Sequence, residues 1–299
     1  MNMIWIVVPL FGRHQEMDAF LADLSAQTYQ EYHVVVVNHG HQEYAPAQDG
    51  DRVAIVRESP ELWWTGAINR GIEAVLRSPQ GAGVVGEDDF ILLHNHDSHI
   101  GPGYLQALVD VATRHPQAVV GSVCVSAKSG GRQILYANVR LVRDRYQLQY
   151  DYKRRTIDEL DPDVPLSGDF LKGRGTLYRV TMVRKLGPLA EKHLPHYGAD
   201  HEYSYRAKKA GYEVLTAPGA VVATDFDSRH QREDCQTLAD LLAYYFSRRS
   251  TESFPVAFWG AWLSFGPQYG VRYFLANSGW KFKDLLRTGV VLALRGRWT

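Results

Sequence analysis

Residues 92–98, Leu-Leu-His-Asn-His-Asp-Ser, combine residue types that can hold a cation. They overlap the end of an apolar run, Phe90–Leu93, which is typical of a buried strand. Ligands of open α/β sheets bind beyond the carboxyl ends of the strands. A carboxylate at that place, such as Asp97, can hold Mg²⁺ or Mn²⁺, and the cation can neutralise a diphosphate. The alternative is that Asp97 only caps a turn.

The composition is that of a globular α/β protein. The chain has 299 residues, no net formal charge and 45% hydrophobic residues, which fits one large domain or one domain with an appendage. Cys124 and Cys235 are the only cysteines and form no C-x-x-C pair, which disfavours a disulfide framework and a thiolate zinc site. The start of the chain lacks a basic signal-peptide region, and no stretch reaches the roughly 18–20 apolar residues of a membrane span. We therefore expect a cytoplasmic protein.

Hydrophobic periodicity alternates between strand and helix along the chain. It predicts strands over residues 4–8, 32–37, 53–56, 90–93, 118–125, 170–178, 213–217 and 220–223. It predicts helices over residues 15–27, 67–76, 104–114, 180–186 and 200–210, and a loop or short hairpin over 143–165. This alternation predicts a mostly parallel sheet flanked by helices.

Several polar or glycine-containing strand ends should meet at one edge of that sheet. Asn38 can offer a donor and an acceptor to a base or ribose. Gly66 lets the backbone approach a ligand at a helix N-terminus, which favours anions. The alternatives are a plain turn for Gly66 and a solvent-facing helix residue for Asn69. The candidate ligand-binding residues at this edge are Pro9, Phe11, Asn38, Gly40, Trp64, Gly66, Asn69, Asn95, His96 and Asp97.

The ordered motifs resemble those of family 2 glycosyltransferases with the GT-A fold. Residues 34–40 are similar to the family's strand ending in Asp-(Asp/Asn)-Gly-Ser, and residues 64–71 to its Gly-x-x-x-Asn-x-Gly helix start. Residues 93–97 resemble its Asp-x-Asp or Asn-x-Asp metal motif. Residues 198–212 resemble its Glu-Asp-x-Asp-Leu…Arg…Ala-Gly-Tyr block, preceded by a glycine-containing strand at 172–177.

The resemblance implies an inverting transfer of a sugar from a nucleotide-diphosphate donor, aided by Mg²⁺ or Mn²⁺. The acceptor would be a hydroxyl of a glycan or lipid-linked glycan, in bacterial surface-polysaccharide assembly. By position, Asp200 matches the general base, with a plain helix cap as the alternative. Asp97 would bind the metal, and Asp225 is a weaker candidate near the place of a family histidine. The candidate donor-binding residues are the ten at the sheet edge.

Four further residues are candidates for acceptor binding. They are Asp169, Gly173, Arg174 and Glu202. The alternative for Glu202 is a structural ion pair with Arg206, four residues later on the same helix.

The chain also departs from the family pattern. Asn38, Asn95 and Ala199 stand where the family has acidic residues, which leaves a non-catalytic nucleotide- or glycan-binding relative as an alternative. A sugar nucleotidyltransferase is a further, weaker alternative. A dinucleotide-dependent oxidoreductase is disfavoured because no G-x-G-x-x-G follows the first strand. The histidines at 94, 96 and 99 do not favour a transition-metal site, because successive side chains of an extended segment point to opposite sides, which separates His99 from the other two.

The C-terminal part differs from the rest in charge. We expect a catalytic domain over residues 1–235 and a helical extension over 236–299. Residues 248–299 carry eight basic and two acidic residues, interleaved with aromatic ones. Such helices suit an anionic bilayer, which would place the protein peripherally on the inner face of the cell membrane. The alternatives are packing on the catalytic domain or a homodimer interface; a nucleic-acid partner is disfavoured.

Overall fold

The computed structural model describes residues 2–47, 51–77, 85–224, 234–248 and 250–298. The strands in this part are β1 (Ile4–Leu10), β2 (Tyr32–Asn38), β3 (Val53–Arg57), β4 (Phe90–Leu93), β5 (His99–Ile100), β6 (Ala118–Ser126), β7 (Ile134–Tyr136), β8 (Val139–Val142), β9 (Gln147–Tyr150), β10 (Leu166–Ser167), β11 (Thr176–Arg179) and β12 (Glu213–Thr224). The helices are α1 (His14–Ser25), α2 (Trp63–Leu76), α3 (Tyr104–Arg114), α4 (Val180–Leu186), α5 (Ala199–Lys209), α6 (Leu238–Phe246) and α7 (Phe254–Leu294).

A single mixed sheet forms the centre of the fold. Its main order is β10-β12-β6-β11-β4-β1-β2-β3, with β5 beside β12 and β7 beside β6. Strands β3, β2, β1 and β4 are parallel to one another, and β6 is parallel to β12. Strand β11 lies antiparallel between β4 and β6. The predicted mixed, mostly parallel sheet is confirmed.

Strand β1 shows why this sheet needs helices on both faces. Every residue of β1 is buried, and successive side chains alternate between two apolar clusters. Ile4 and Ile6 pack in the cluster that includes α1 and α3, whereas Trp5 and Val7 pack with α2 and α4. Burial on both sides explains the continuous apolar runs of the sequence.

This topology assembles a polar edge. The parallel strands β1, β2 and β4 end there, and antiparallel β11 begins there, with Thr176 paired to Leu93. The antiparallel strand brings the preceding segment, which contains Gly173 and Arg174, to the residues that follow β4.

Three predicted boundaries are wrong. The strand predicted over 170–178 is confined to β11, because Gly175 has φ +85° and breaks the extended backbone before Thr176. The two strands predicted over 213–217 and 220–223 form one strand, β12, with a shift in register between Ala217 and Val221. Helix α2 begins at Trp63, four residues earlier than predicted.

The predicted loop or hairpin over 143–165 begins earlier in the chain. Strands β8 and β9 form an antiparallel two-stranded sheet, with Val142 paired to Gln147 across the turn. The hairpin therefore includes the charged turn at residues 143–146.

The C-terminal extension is helical, as expected. Helix α7 is interrupted at Gly266 (φ 78°, ψ 175°), directly before Pro267, whose missing N–H also breaks the helical hydrogen bonding. The part before the interruption packs on the catalytic domain, where Trp259 lies 4.0 Å from the His193 ring and Phe265 lies 5.2 Å from Tyr205. The part after it, 267–294, packs on α6. The domain boundary at residue 235 stays a prediction.

Candidate active site

Asp97 forms a bidentate ion pair with Arg174. Arg174 Nη1 donates to Asp97 Oδ1 at 2.6 Å, and Nη2 donates to Oδ2 at 3.0 Å. The Thr224 hydroxyl accepts from Arg174 Nη1 at 3.0 Å and donates to the Asp97 carbonyl at 3.2 Å. Burial alone would raise the pKa of Asp97, but the charge and hydrogen bonds of Arg174 outweigh it and lower the pKa. Asp97 is therefore ionised, and Arg174 lies beside the predicted metal ligand.

Trp64 connects this motif to the segment before β11. Its indole Nε1 donates to Asn95 Oδ1 at 2.7 Å. A Cβ added at Gly173 would lie 2.7 Å from the Trp64 ring, so only glycine allows this close approach. Gly173 in turn donates its N–H to Asp200. Four predicted site residues are thus linked in one continuous arrangement.

Asp200 lies in the first turn of α5, where two backbone N–H groups bind its carboxylate. Gly173 N donates to Oδ2 and His201 N donates to Oδ1, each at 2.9 Å. Burial alone would raise the pKa of Asp200, but His201, Lys172 and the two N–H donors outweigh burial and lower the pKa. The helix N-terminus favours the same ionised form. Asp200 is therefore a partly buried carboxylate that stays charged near neutral pH.

The loops after β1 and β2 form the other side of the edge. Asn38 accepts from Gly40 N at 3.1 Å and donates to the Gln42 carbonyl at 2.9 Å, so its amide shapes its own loop. The Gly40 position has room for little more than a hydrogen, because a Cβ would lie 3.0 Å from Gly12 N. Phe11 is 51% exposed beside these loops, and its donor-binding role stays a prediction.

Histidines line this edge in their neutral form. His96 Nδ1 lies 3.0 Å from the Pro9 carbonyl, and no hydrogen-bond partner of its buried Nε2 is found in the described part of the chain. Burial lowers the pKa of His96. Burial, together with the charges of His196 and His96, lowers the pKa of His39 to about 4. Uncharged imidazoles therefore lie at the ends of β1 and β2, the edge where the donor is expected.

The histidines of residues 94–99 do not converge. The His94 ring packs in the core, 4.7 Å from Phe20, whereas His99 Nδ1 lies at the surface, 3.2 Å from Asp23 Oδ2. Within the described ranges, no group of three or more His, Cys, Asp or Glu side chains is arranged to hold a metal. The expectation that these histidines form no transition-metal site stays a prediction.

The side-chain oxygens of Asp97 and Asn95 suit a hard cation, but other side chains donate hydrogen bonds to them. Asp97 and Asn95 offer carboxylate and amide oxygens of the kind that Mg²⁺ and Mn²⁺ prefer. In this structure Arg174 binds both Asp97 carboxylate oxygens, and Trp64 binds the Asn95 oxygen. Asp225, the second predicted ligand, lies outside the described residues. A cation at Asp97 would therefore compete with Arg174.

Gly66 and Asn69 lie on α2, next to the segment before α5. A Cβ at Gly66 would lie 3.1 Å from the Leu62 side chain, so the helix start is closely packed. Asn69 Nδ2 donates to the Leu189 carbonyl at 3.0 Å and to Glu191 Oε2 at 2.8 Å, and its Oδ1 accepts from Leu189 N at 2.9 Å. Asn69 therefore ties α2 to this segment, and its donor-binding role stays a prediction.

Asp169 and Glu202 lie apart from the Asp97–Asp200 arrangement. Glu202 is buried and pairs with Arg206, the structural alternative that their spacing allowed. Asp169 pairs with Lys208 near the other end of α5, and its Oδ2 accepts from Leu141 N at 2.6 Å. The acceptor-binding roles of both carboxylates stay predictions.

Sequence reasoning missed two contributors to the site. Lys172 helps to lower the pKa of Asp200, and its ammonium lies 5.4 Å from the centre of the Tyr136 ring. Thr224 joins Arg174 to the Asp97 backbone. Lys172 belongs to the glycine-containing segment 172–177, and Thr224 directly precedes Asp225, but neither position in the sequence indicates a hydrogen bond or charge interaction across the fold.

Comparison with known proteins identifies the class. Residues 2–243 match the family described as glycosyltransferase-like family 2, and the chain therefore belongs to that family and is a glycosyltransferase. Curated relatives from two Mycobacterium tuberculosis strains, CDC 1551/Oshkosh and ATCC 25618/H37Rv, are each named N-acetylglucosaminyl-diphospho-decaprenol L-rhamnosyltransferase. Each is 26% identical over 236 residues, which cover 74% of this chain and 75% of the relative.

A solved structure shows the same fold. The crystal structure of GalNAc-T7 with UDP, GalNAc and Mn²⁺ has a TM-score of 0.56 at 12% identity. The match covers 93% of this chain and 55% of that one, so this chain spans about half the length of its structural neighbour. The predicted GT-A fold is confirmed. The family match also favours a glycosyltransferase over the nucleotidyltransferase and non-catalytic alternatives.

Proposed function

We propose that this protein transfers a hexose or deoxyhexose from a nucleotide-diphosphate donor to a hydroxyl of a lipid-linked glycan, with inversion at the anomeric carbon. The observation that carries the proposal is the placement of the ionised Asp200 beside Gly173, Trp64 and Asn95, next to the Asp97 motif. A carboxylate on one side and a diphosphate-binding motif on the other suit a displacement reaction.

Asp200 acts as the general base in this proposal. It takes the proton of the acceptor hydroxyl while the acceptor oxygen bonds to the anomeric carbon of the donor. The bond from that carbon to the terminal phosphate oxygen breaks on the opposite side, and the electron pair leaves with the nucleoside diphosphate. The N–H groups of Gly173 and His201 fix the carboxylate for this proton transfer.

The donor diphosphate requires positive charge. Arg174, fixed by Asp97 and Thr224, is a cation of this chain at the predicted diphosphate-binding motif. A divalent ion bound by Asp97 would add charge stabilisation of the leaving group. Asp97 would then exchange Arg174 for the metal, and Arg174 could turn to a phosphate oxygen.

The lipid-linked acceptor is proposed from two observations. The curated relatives are named for an acceptor with a diphospho-decaprenol group. In this chain, α7 presents an apolar face whose side chains Leu275, Leu286 and Leu294 are 59%, 70% and 83% exposed. Lys283 and Arg287 are exposed beside it, whereas Asp284 accepts from the Tyr245 hydroxyl on the packed side at 2.7 Å. This face combines apolar and basic side chains, as the interface of an anionic bilayer requires.

A transfer assay tests the proposed function. The protein is incubated with a panel of nucleotide-sugars, Mn²⁺ and N-acetylglucosaminyl diphosphate carrying a short isoprenyl chain. We expect one donor to raise the melting temperature, because it binds the native state, and to yield a product with inverted anomeric configuration by NMR. A product of retained configuration, or no product from any donor, would contradict the proposal.

The apolar face of α7 predicts binding to anionic membranes. Among the described residues, no helix is both long and apolar enough to cross a membrane. The double substitution Leu286→Glu/Val290→Glu should weaken binding to phosphatidylglycerol-containing vesicles by at least about tenfold, because it removes apolar contact and adds repulsion. Vesicle co-sedimentation measures the effect.

A matched control uses Val164→Glu, which adds one of the same charges at a residue 54% exposed on the catalytic domain. This variant should bind vesicles like the wild type. If the wild-type protein does not bind these vesicles and forms a dimer that the α7 variant disrupts, the apolar face of α7 is a homodimer interface instead.

A further inference from the structure

A basic cavity lies between the β8–β9 hairpin and the C-terminal half of α5. Its volume is about 280 Å³. It is lined by Leu141, Arg143, Asp169, Tyr205, Lys208 and Lys209. We propose that this cavity binds the diphosphate of the lipid-linked acceptor. The inference rests on the proposed function, and it names where the anionic part of that acceptor lies.

The charges of the lining favour an anion. Lys208 pairs with Asp169, the one carboxylate among the lining residues. Arg143 and Lys209 make hydrogen bonds to neutral groups: Arg143 Nη2 donates to the Tyr205 hydroxyl at 2.9 Å, and Lys209 Nζ donates to the Leu263 carbonyl at 3.1 Å. The lining therefore keeps an excess of two positive charges, which matches a diphosphate bridging two groups.

The cavity lies at a suitable distance from the base. Asp200 and Lys208 are on the same helix, eight residues apart, which corresponds to about 12 Å along the helix axis. Residues 168–173 run in the opposite direction along α5: Gly173 N binds Asp200 at 2.9 Å, and the Gly168 carbonyl accepts from Lys208 at 2.9 Å. One pyranose ring and its diphosphate have about this length. An acceptor hydroxyl at Asp200 can therefore place its diphosphate at the cavity.

The cavity also adjoins the helix that carries the proposed membrane face. The Tyr269 hydroxyl of α7 donates to the Arg143 carbonyl at 2.7 Å, and the Arg143 guanidinium lies 5.5 Å from the centre of the Tyr269 ring. Further along α7, Asn277 Nδ2 donates to the Tyr146 carbonyl at 2.6 Å. The hairpin turn is thus fixed to α7, next to its exposed apolar stretch. A lipid chain leaving the cavity would meet this face.

The diphosphate of the donor is expected at a different site, at the edge of the sheet. Its predicted ligands, Asp97 and Asn95, follow β4 at the sheet edge, whereas the cavity lies beside the last turn of α5. Two separate diphosphate sites allow the donor and acceptor to be distinguished by experiment.

The test compares two acceptors in the double variant Arg143→Gln/Lys209→Gln. One acceptor is N-acetylglucosaminyl diphosphate with a short isoprenyl chain, and the other is N-acetylglucosamine carrying an alkyl chain of equal length without phosphate. We expect kcat/KM for the first to fall by at least about tenfold, since two charge-assisted contacts are lost, and kcat/KM for the second to change less than about twofold. Arg145→Gln, in the same hairpin turn but outside the lining, is the matched control.

A binding measurement accompanies the kinetics. With the donor site saturated by a nucleoside diphosphate, calorimetry should detect inorganic pyrophosphate binding to the wild type and to Arg145→Gln, but not to the double variant. Equal losses on both acceptors, or unchanged pyrophosphate binding in the variant, would overturn the inference. If the wild type transfers sugar to neither acceptor, the proposed function fails, while the pyrophosphate titration still tests the cavity.

Discussion

Replacing Asp200 by asparagine should lower kcat by at least about 10³-fold and leave nucleotide affinity within about twofold. Asparagine has nearly the same shape, and its oxygen can still accept from Gly173 N or His201 N, so the start of α5 should stay intact. It cannot take the proton of the acceptor hydroxyl. Steady-state kinetics at saturating donor measure the loss, and calorimetry with the nucleoside diphosphate measures the affinity.

The control for this variant is Asp110→Asn, the same chemical change on the exposed surface of α3, where Asp110 accepts from Gln106 at 2.7 Å. It should be fully active. The pH profile gives a second readout: because the pKa of Asp200 is lowered, the base stays ionised when the pH falls through the ordinary aspartate range, and activity should be lost only below it. Turnover of Asp200→Asn within tenfold of wild type would exclude Asp200 as the base.

Much of the fold was predictable because burial leaves a pattern in the sequence. The helix bounds Tyr104–Arg114 and Val180–Leu186 agree with the prediction, since each apolar stripe ends at a distinct polar or glycine position. Where the backbone departs from regular structure, the pattern failed. The apolar residues of 170–178 suggested a strand, but Gly173 must approach Trp64 and Gly175 adopts a positive φ.

The site was predictable as a set of strand ends, but its pairings were not. Periodicity reports which face a residue occupies, and it carries no information about partners far away in the chain. Asp97 and Arg174 are 77 residues apart, and Asn69 reaches the carbonyl of Leu189 from 120 residues away. The sequence accordingly suggested a metal for Asp97 and an acceptor for Arg174, whereas the structure pairs the two side chains.

The second large effect is expected when Asp97, the partner of Arg174, is replaced. The variants of this pair separate metal binding from nucleotide binding. Asp97→Ala should weaken Mn²⁺-dependent donor binding and lower kcat/KM by at least about 100-fold, because the proposed carboxylate ligand of the metal is lost. It should also lower the free energy of unfolding by about 1–3 kcal/mol, since the Arg174 side chain, only 16% exposed, loses its carboxylate partner. Urea denaturation and calorimetric titration measure the two effects.

Arg174→Met should strengthen Mn²⁺ binding, whereas Asp97→Ala weakens it. With its carboxylate released from the guanidinium, Asp97 should bind Mn²⁺ more tightly in the absence of nucleotide. The nucleoside diphosphate should bind more weakly, because a cation at its proposed site is gone. The double variant Asp97→Ala/Arg174→Met removes both charges together, so it should be more stable than Asp97→Ala and equally inactive. If Arg174→Met leaves Mn²⁺ affinity unchanged, Arg174 and the metal do not share Asp97, and the cation of this site must be bound by other residues.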